Sequence, residues 1–201
     1  MANQYAAAAD LKATLSLSGE TFADADIELA LSAASRGIDS ICGRRFWADA
    51  DDVVRHYTPD DARELRIDDL VTLTSLKTSP AGDGQFTDVW TVNTDFVLGP
   101  LNADLDGRPW TRIEVHPSGR FRLPCHPRSV EVTGRFGWPA VPDTVKQATI
   151  VLASKLMRRA REAPFGVITL GLDGGAAHIA RTDPDVMFLI GDLIRDRVAV
   201  A

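Results

Sequence analysis

The sequence predicts an α+β fold: a helical core of about four helices with a β-rich insertion between the second and third. Three observations carry this. Apolar residues recur at steps of three and four near both ends of the chain, over 6–17, 24–42, 142–163 and again after Asp183. That period vanishes over 53–137, where short β-branched runs alternate with Gly, Pro, Asn and Asp clusters. Pro139 and Pro142 then mark the return to helix. A chain of 201 residues is expected to form one domain, spanning 1–201. Its parts are N-terminal helices over 1–47, the insertion over 53–137, a long helix over 142–163, and a Gly-rich loop with a C-terminal helix over 164–201.

The first helix is short, with Leu11 and Leu15 one turn apart and Asp10 near its positive end. In the second, Ile27, Leu31, Ala34, Ile38 and Ile41 share a face, Asp24, Asp26 and Glu28 suit the N-terminus, and Gly43 suits the position after the last turn. Within the insertion the clearest pattern is a hairpin, 112–116 and 120–123, around Pro117, Ser118 and Gly119. Val130, Val132 and Thr133 supply a further strand, and 53–57, 64–67, 70–78 and 89–98 are strand candidates bounded by Asp, Gly or Pro. The long helix carries Val145, Thr149, Leu152 and Leu156 on one stripe, with Lys155, Arg158, Arg159 and Arg161 towards its end and Pro164 after it. Asp183 followed by Pro184 is an N-cap and first-turn signal, and Val186, Ile190, Leu193 and Arg197 continue a helical period towards the C-terminus.

Composition narrows function. The formal charge of −6 and its concentration in the first 52 residues leave no basic footprint of the kind that grips nucleic acid. A DNA-binding regulator is thereby disfavoured, whereas a mildly acidic surface suits a passage along which DNA slides. No apolar run reaches the roughly 18–20 residues that span a bilayer, and no basic region leads into an apolar stretch at the N-terminus, so the expectation is assembly in the cytoplasm without a membrane partner. Cys42 and Cys125 lie far apart and form no CxxC pair, and both read as reduced thiols.

Candidate chemistry is weak throughout, and no cofactor is implied. His116, Cys125 and His126 are the nearest approach to a metal set, but neighbours on a strand point to opposite faces and a fourth ligand is missing. Gly171, Gly174 and Gly175 lack the Lys-Ser/Thr ending of a phosphate loop and read as a flexible tip. The acid pairs Asp51-Asp52, Asp60-Asp61 and Asp68-Asp69 read as solvated turns. The Lys155, Arg158, Arg159 and Arg161 group fits either an acidic partner or the negative end of its own helix. Phe46, Trp47, Trp110, Phe165 and Phe188 suit an interface or a core equally.

Four stretches add a resemblance. They are 5–15 with Ala9-Asp10-Leu11-Lys12; 33–46 with Arg36-Gly37-Ile38-Asp39 and Gly43-Arg44-Arg45-Phe46; Val130-Glu131-Val132-Thr133-Gly134-Arg135-Phe136-Gly137-Trp138-Pro139 running on to Pro142 and Val145-Lys146-Gln147-Ala148; and 158–167 with 181–186. In this order and spacing they resemble the head–tail connector (adaptor) family of tailed bacteriophages, of the actinophage head-to-tail type. The likeness is thinnest over 53–128, which is longer than in minimal members and is treated as an elaboration on a helical core.

The resemblance implies a non-enzymatic virion protein. It would form a dodecameric ring that receives the portal on one side and a head-closure, stopper or tail protein on the other, with DNA passing through the lumen. It also implies portal contact from about Pro164 onward, with Arg158, Arg159, Arg161, Phe165, Arg181, Asp183 and Phe188 as the expected interface residues. The alternatives are another neck component, such as a head-closure or tail-terminator protein, and a small metal-dependent enzyme built on His116, Cys125 and His126.

Overall fold

The computed structural model describes residues 3–16, 22–162 and 183–195, and the chain is α+β. It divides into two compact units: Met1–Phe46 with Val141–Ala201, and Trp47–Ala140.

The first unit is helical. Helices α1 (Ala8–Ser16), α2 (Asp24–Cys42), α3 (Asp143–Glu162) and α4 (Pro184–Ile190) are followed by a 3₁₀ turn over Gly191–Leu193. Each helix turns its predicted stripe inward: Leu11 and Leu15 on α1, Ile27, Leu31, Ala34 and Ile38 on α2, and Val145, Thr149, Leu152 and Leu156 on α3 are all buried. The buried Thr149 hydroxyl donates to the Val145 carbonyl one turn back, which satisfies it inside an apolar stripe. Gly43 closes α2 at φ 64°, its N–H donating to the Asp39 carbonyl at 2.9 Å. The expected C-terminal helix is shorter than its period suggested, because it tightens into the 3₁₀ turn at Gly191; Arg197 lies outside the described residues.

Tyr5 anchors the chain's start to α2. Its N–H donates to the Ser35 hydroxyl, its phenol donates to Asp39, and the same oxygen accepts the Phe46 N–H at 2.9 Å. Phe46, a candidate interface aromatic by sequence, is fully buried and meets the Tyr5 ring edge-on at 5.7 Å.

The second unit is an antiparallel sheet of six strands: β1 (Val53–Tyr57), β2 (Glu64–Thr78), β3 (Asp88–Trp90), β4 (Phe96–Gly99), β5 (Trp110–Val115) and β6 (Val130–Phe136). The main path runs β1-β6-β2-β5-β4, with β3 paired to the end of β2. Its core gathers Leu65, Ile67, Leu70, Leu76, Phe96, Ile113, Val130, Val132 and Phe136 around Trp90.

Three expectations are corrected here. The predicted hairpin does not form: β5 is hydrogen-bonded by β2 on one edge and β4 on the other, so no edge is left for 120–123. That segment is irregular instead, with Phe121 stacked on Trp90 at 5.1 Å and Leu123 buried. The segments 64–67 and 70–78 are one strand, and Asp68-Asp69 is no turn. Register shifts between Arg66 and Leu70 mark a bulge, and the inward face passes from Leu65, Ile67 and Asp69 to Leu70 at that point. The candidate strand 89–98 is two strands, separated by a turn in which Asp95 accepts the Thr91 N–H.

Candidate interaction surfaces

The basic end of α3 follows from its sequence: from Lys155 to Glu162 every residue is a good helix former, and Arg158, Arg159 and Arg161 fall in the last turns, exposed. Lys155 faces the start of α4, where its ammonium pairs with Asp183 and, at 3.4 Å, with Asp185. Asp183 also caps α4, accepting the N–H groups of Asp185 at 3.1 Å and Val186 at 3.4 Å. Burial works against this carboxylate, but the Lys155 ammonium and the two N–H donors outweigh it and hold its pKa below the usual range. The same pairing raises the pKa of Lys155. Asp183 is 8% exposed, so its oxygens serve the packing of α4 on α3. Phe188 points the other way and is 89% exposed, while Val186 and Ile190 on the opposite face are fully buried. Of the interface residues expected from sequence, Arg158, Arg159, Arg161 and Phe188 are thus on the surface, and Asp183 is taken up within the helical unit. Phe165 and Arg181, and the glycine run around Gly171, lie outside the described residues.

Beside those arginines, α2 and α3 leave a groove of about 450 Å³. Its walls are Phe22, Leu29, Ala30, Leu156, Met157 and Ala160, with Asp26 and Arg161 among its polar lining. Leu29 remains 44% exposed, and the Arg161 guanidinium sits 5.9 Å from the centroid of the Phe22 ring.

The sheet unit carries a protruding apolar pair on the loop between β4 and β5. Leu101 and Leu105 are 77% and 80% exposed, whereas Ala103 between them is buried. The loop is closely hydrogen-bonded: Ala103 N–H to the Pro100 carbonyl at 3.2 Å, Leu105 N–H to Asn102 at 3.1 Å, and Arg108 N–H to Ala103 at 2.8 Å. Neither this loop nor the groove was anticipated from sequence. The available signal was two leucines four apart within a segment bounded by Pro100 and Gly107, with no strand for them to serve.

Among the described residues no group of three or more His, Cys, Asp or Glu side chains is placed to hold a metal ion. His116 is engaged with Ser118, whose hydroxyl lies 2.7 Å from Nδ1. Cys125 is exposed, and Cys42 is buried with its thiol pushed up to about 12 by that burial. Asp68, half-exposed, pairs with Arg55 at 2.6 Å, and the buried Asp69 accepts the Trp138 indole N–H at 3.1 Å, so this acid pair is not a free solvated turn. No described helix is long and apolar enough to cross a membrane.

No family model matches the chain, and no curated protein matches it. Solved structures with the same fold exist. A chain from the neck of an empty gene transfer agent particle, computed with C6 symmetry, superposes with a TM-score of 0.55 at 22% identity, covering 96% of this chain and 91% of that one. A chain from the virion of a native gene transfer agent particle superposes with a TM-score of 0.52 at 20% identity, covering 100% and 96%. The fold of this chain, over nearly its whole length, is therefore one also found in the neck and virion of a gene transfer agent particle.

Proposed function

We propose that this chain is a structural, non-enzymatic neck component of a tailed phage-like particle, and within the neck the head-to-tail adaptor. It forms a ring between the portal and the head-closure or tail proteins, with DNA passing through the lumen. The observation that carries this reading is the likeness to a neck chain along 96% of the sequence, rather than to an isolated subdomain. The helical unit is the adaptor body, and the sheet unit is an elaboration inserted between α2 and α3. Ring formation proceeds by heterologous contacts, one patch of each subunit meeting a different patch of the next. A dodecameric ring contains a six-fold axis, so it is compatible with the C6 symmetry of the neck structure.

Portal contact falls to the C-terminal end of the helical unit. Phe188 on α4 and the arginines at 158, 159 and 161 on α3 are exposed, and aromatic and arginine side chains are enriched at interfaces. The net charge of −6 suits a lumen that DNA traverses without sticking. Electron microscopy of portal rings with and without this protein tests the reading: the adaptor adds a ring of density below the portal. Portal particles that gain no density overturn it. Density that appears only when a head-closure or tail protein is also present points to another neck position.

A further inference from the structure

We propose that the loop carrying Leu101 and Leu105 docks into the α2–α3 groove of a second copy of this chain. The inference deepens the ring reading above by naming the two surfaces that meet.

Scattered exposed leucines are ordinary on protein surfaces. This pair is different because the loop that bears it is fixed. Backbone hydrogen bonds hold it from Pro100 to Arg108, and Ala103 plugs it into its own unit while the leucines on either side stay outside. An apolar knob of this kind is pre-organised, so seating it requires little further ordering. The groove supplies complementary chemistry, with apolar walls from Phe22, Leu29, Leu156 and Met157.

Charge sets the orientation. Asp104 and Asp106 flank Leu105 on the loop, and Arg161 lines the groove, with Arg158 and Arg159 exposed on the same helix end. Asp26 also lines the groove and Arg108 ends the loop, so groove and loop each carry both signs of charge and a leucine-inward pose has opposite charges to pair. In this arrangement the knob of one copy enters the groove of the next while that copy's own knob enters a third, which makes the contact heterologous. Repeated from copy to copy it builds a ring or an open array instead of stopping at a dimer.

The test is chemical crosslinking of the full chain in a Cys125→Ser background, which leaves only the buried Cys42. A Leu29→Cys/Leu105→Cys variant treated with a short bismaleimide is expected to give a ladder of covalent oligomers beyond the dimer, and Asp104→Lys/Asp106→Lys added to it should abolish that ladder at low salt. Monomer alone, a crosslink closed within one chain, or a product that stops at two copies overturns the contact. Circular dichroism of each variant checks that the fold persists, and Leu29→Asp probes the groove without touching the loop. The portal experiment separates the two levels. If Leu101→Asp/Leu105→Asp protein still adds a ring to the portal, the knob contact is wrong and the neck assignment stands. If the ladder forms while wild-type protein adds no density to the portal, the contact survives and the neck assignment falls.

Discussion

At the scale of single residues, the segment from Gly134 to Trp138 owes its composition to close packing inside the sheet unit. At Gly137, which sits at φ 118°, a Cβ would lie 1.8 Å from the Trp47 carbonyl oxygen. Its N–H donates to the Asp69 carbonyl at 2.7 Å, and the next residue, Trp138, donates its indole N–H to the Asp69 carboxylate. A buried acid held in this way depends on its donors. Trp138→Phe keeps an aromatic side chain but removes one of them along with part of the buried indole, and should lower stability by at least roughly 1–3 kcal/mol in urea unfolding. Asp39 offers a second residue-level expectation. Burial raises its pKa to about 6, against the opposing effects of the Tyr5 hydroxyl, Arg36 and Arg45. The folded state then binds this proton more tightly than the unfolded chain, whose aspartates titrate near 3.9. The contribution of Asp39 to stability is accordingly complete below about pH 4 and lost as pH rises through about 6. Carbon NMR of the carboxylate should show that midpoint, and Tyr5→Phe should move it higher by deleting the phenol that donates to the ionised form.

At the scale of elements, β6 shows how tightly the strands approach. Gly134 faces inward in a strand that otherwise alternates cleanly, and a Cβ there would lie 2.1 Å from the Thr72 carbonyl oxygen on β2. Gly134→Ala must therefore part the β2–β6 pair, at a cost of about 3 kcal/mol in chemical denaturation. Gly191→Ala, where nothing lies within 4 Å and the backbone is already helical, should be neutral or slightly stabilising in the same assay. The helices were legible in sequence because their period, caps and stops are local signals: Ile27 to Ile38, Gly43, and Asp183 with Pro184 all act where they were read. The strands were legible where alternation was unbroken, as in Val130 to Phe136, and where a β-rich run was bounded by Asp and Pro, as in Val53 to Tyr57. Asp68 and Asp69 looked like a turn because their partners, Arg55, Tyr57 and Trp138, are remote in sequence. The arm 120–123 looked like half of a hairpin because nothing local reveals that both edges of β5 are already taken. The candidate surfaces follow the same rule. The arginines closing α3 could be read from a helix terminus, whereas the exposure of Leu101, Leu105 and Leu29 depends on packing that no single stretch encodes.

At the scale of the whole molecule, the chain builds two cores from three sequence blocks, and the middle block is continuous. All six strands, the Asp69–Trp138 and Arg55–Asp68 interactions, and the close approach of Gly137 to Trp47 fall within Trp47–Ala140. The unit's apolar cluster, from Leu65 to Phe136, is likewise drawn only from that block. A segment with its own apolar core and its own internal ion pairs and hydrogen bonds meets the physical requirements of a domain. The excised fragment 47–140 is therefore expected to fold alone, giving a β-type circular dichroism spectrum, dispersed amide resonances and one cooperative unfolding transition. The complementary helical unit is assembled from both ends of the sequence, and the pairing of α2 with α3 joins segments separated in sequence by the whole sheet unit. A fragment that instead gives a random-coil spectrum would show that the sheet needs the helical unit to hold its shape. It would also remove the physical basis for treating the sheet as an elaboration carried by an independent helical body.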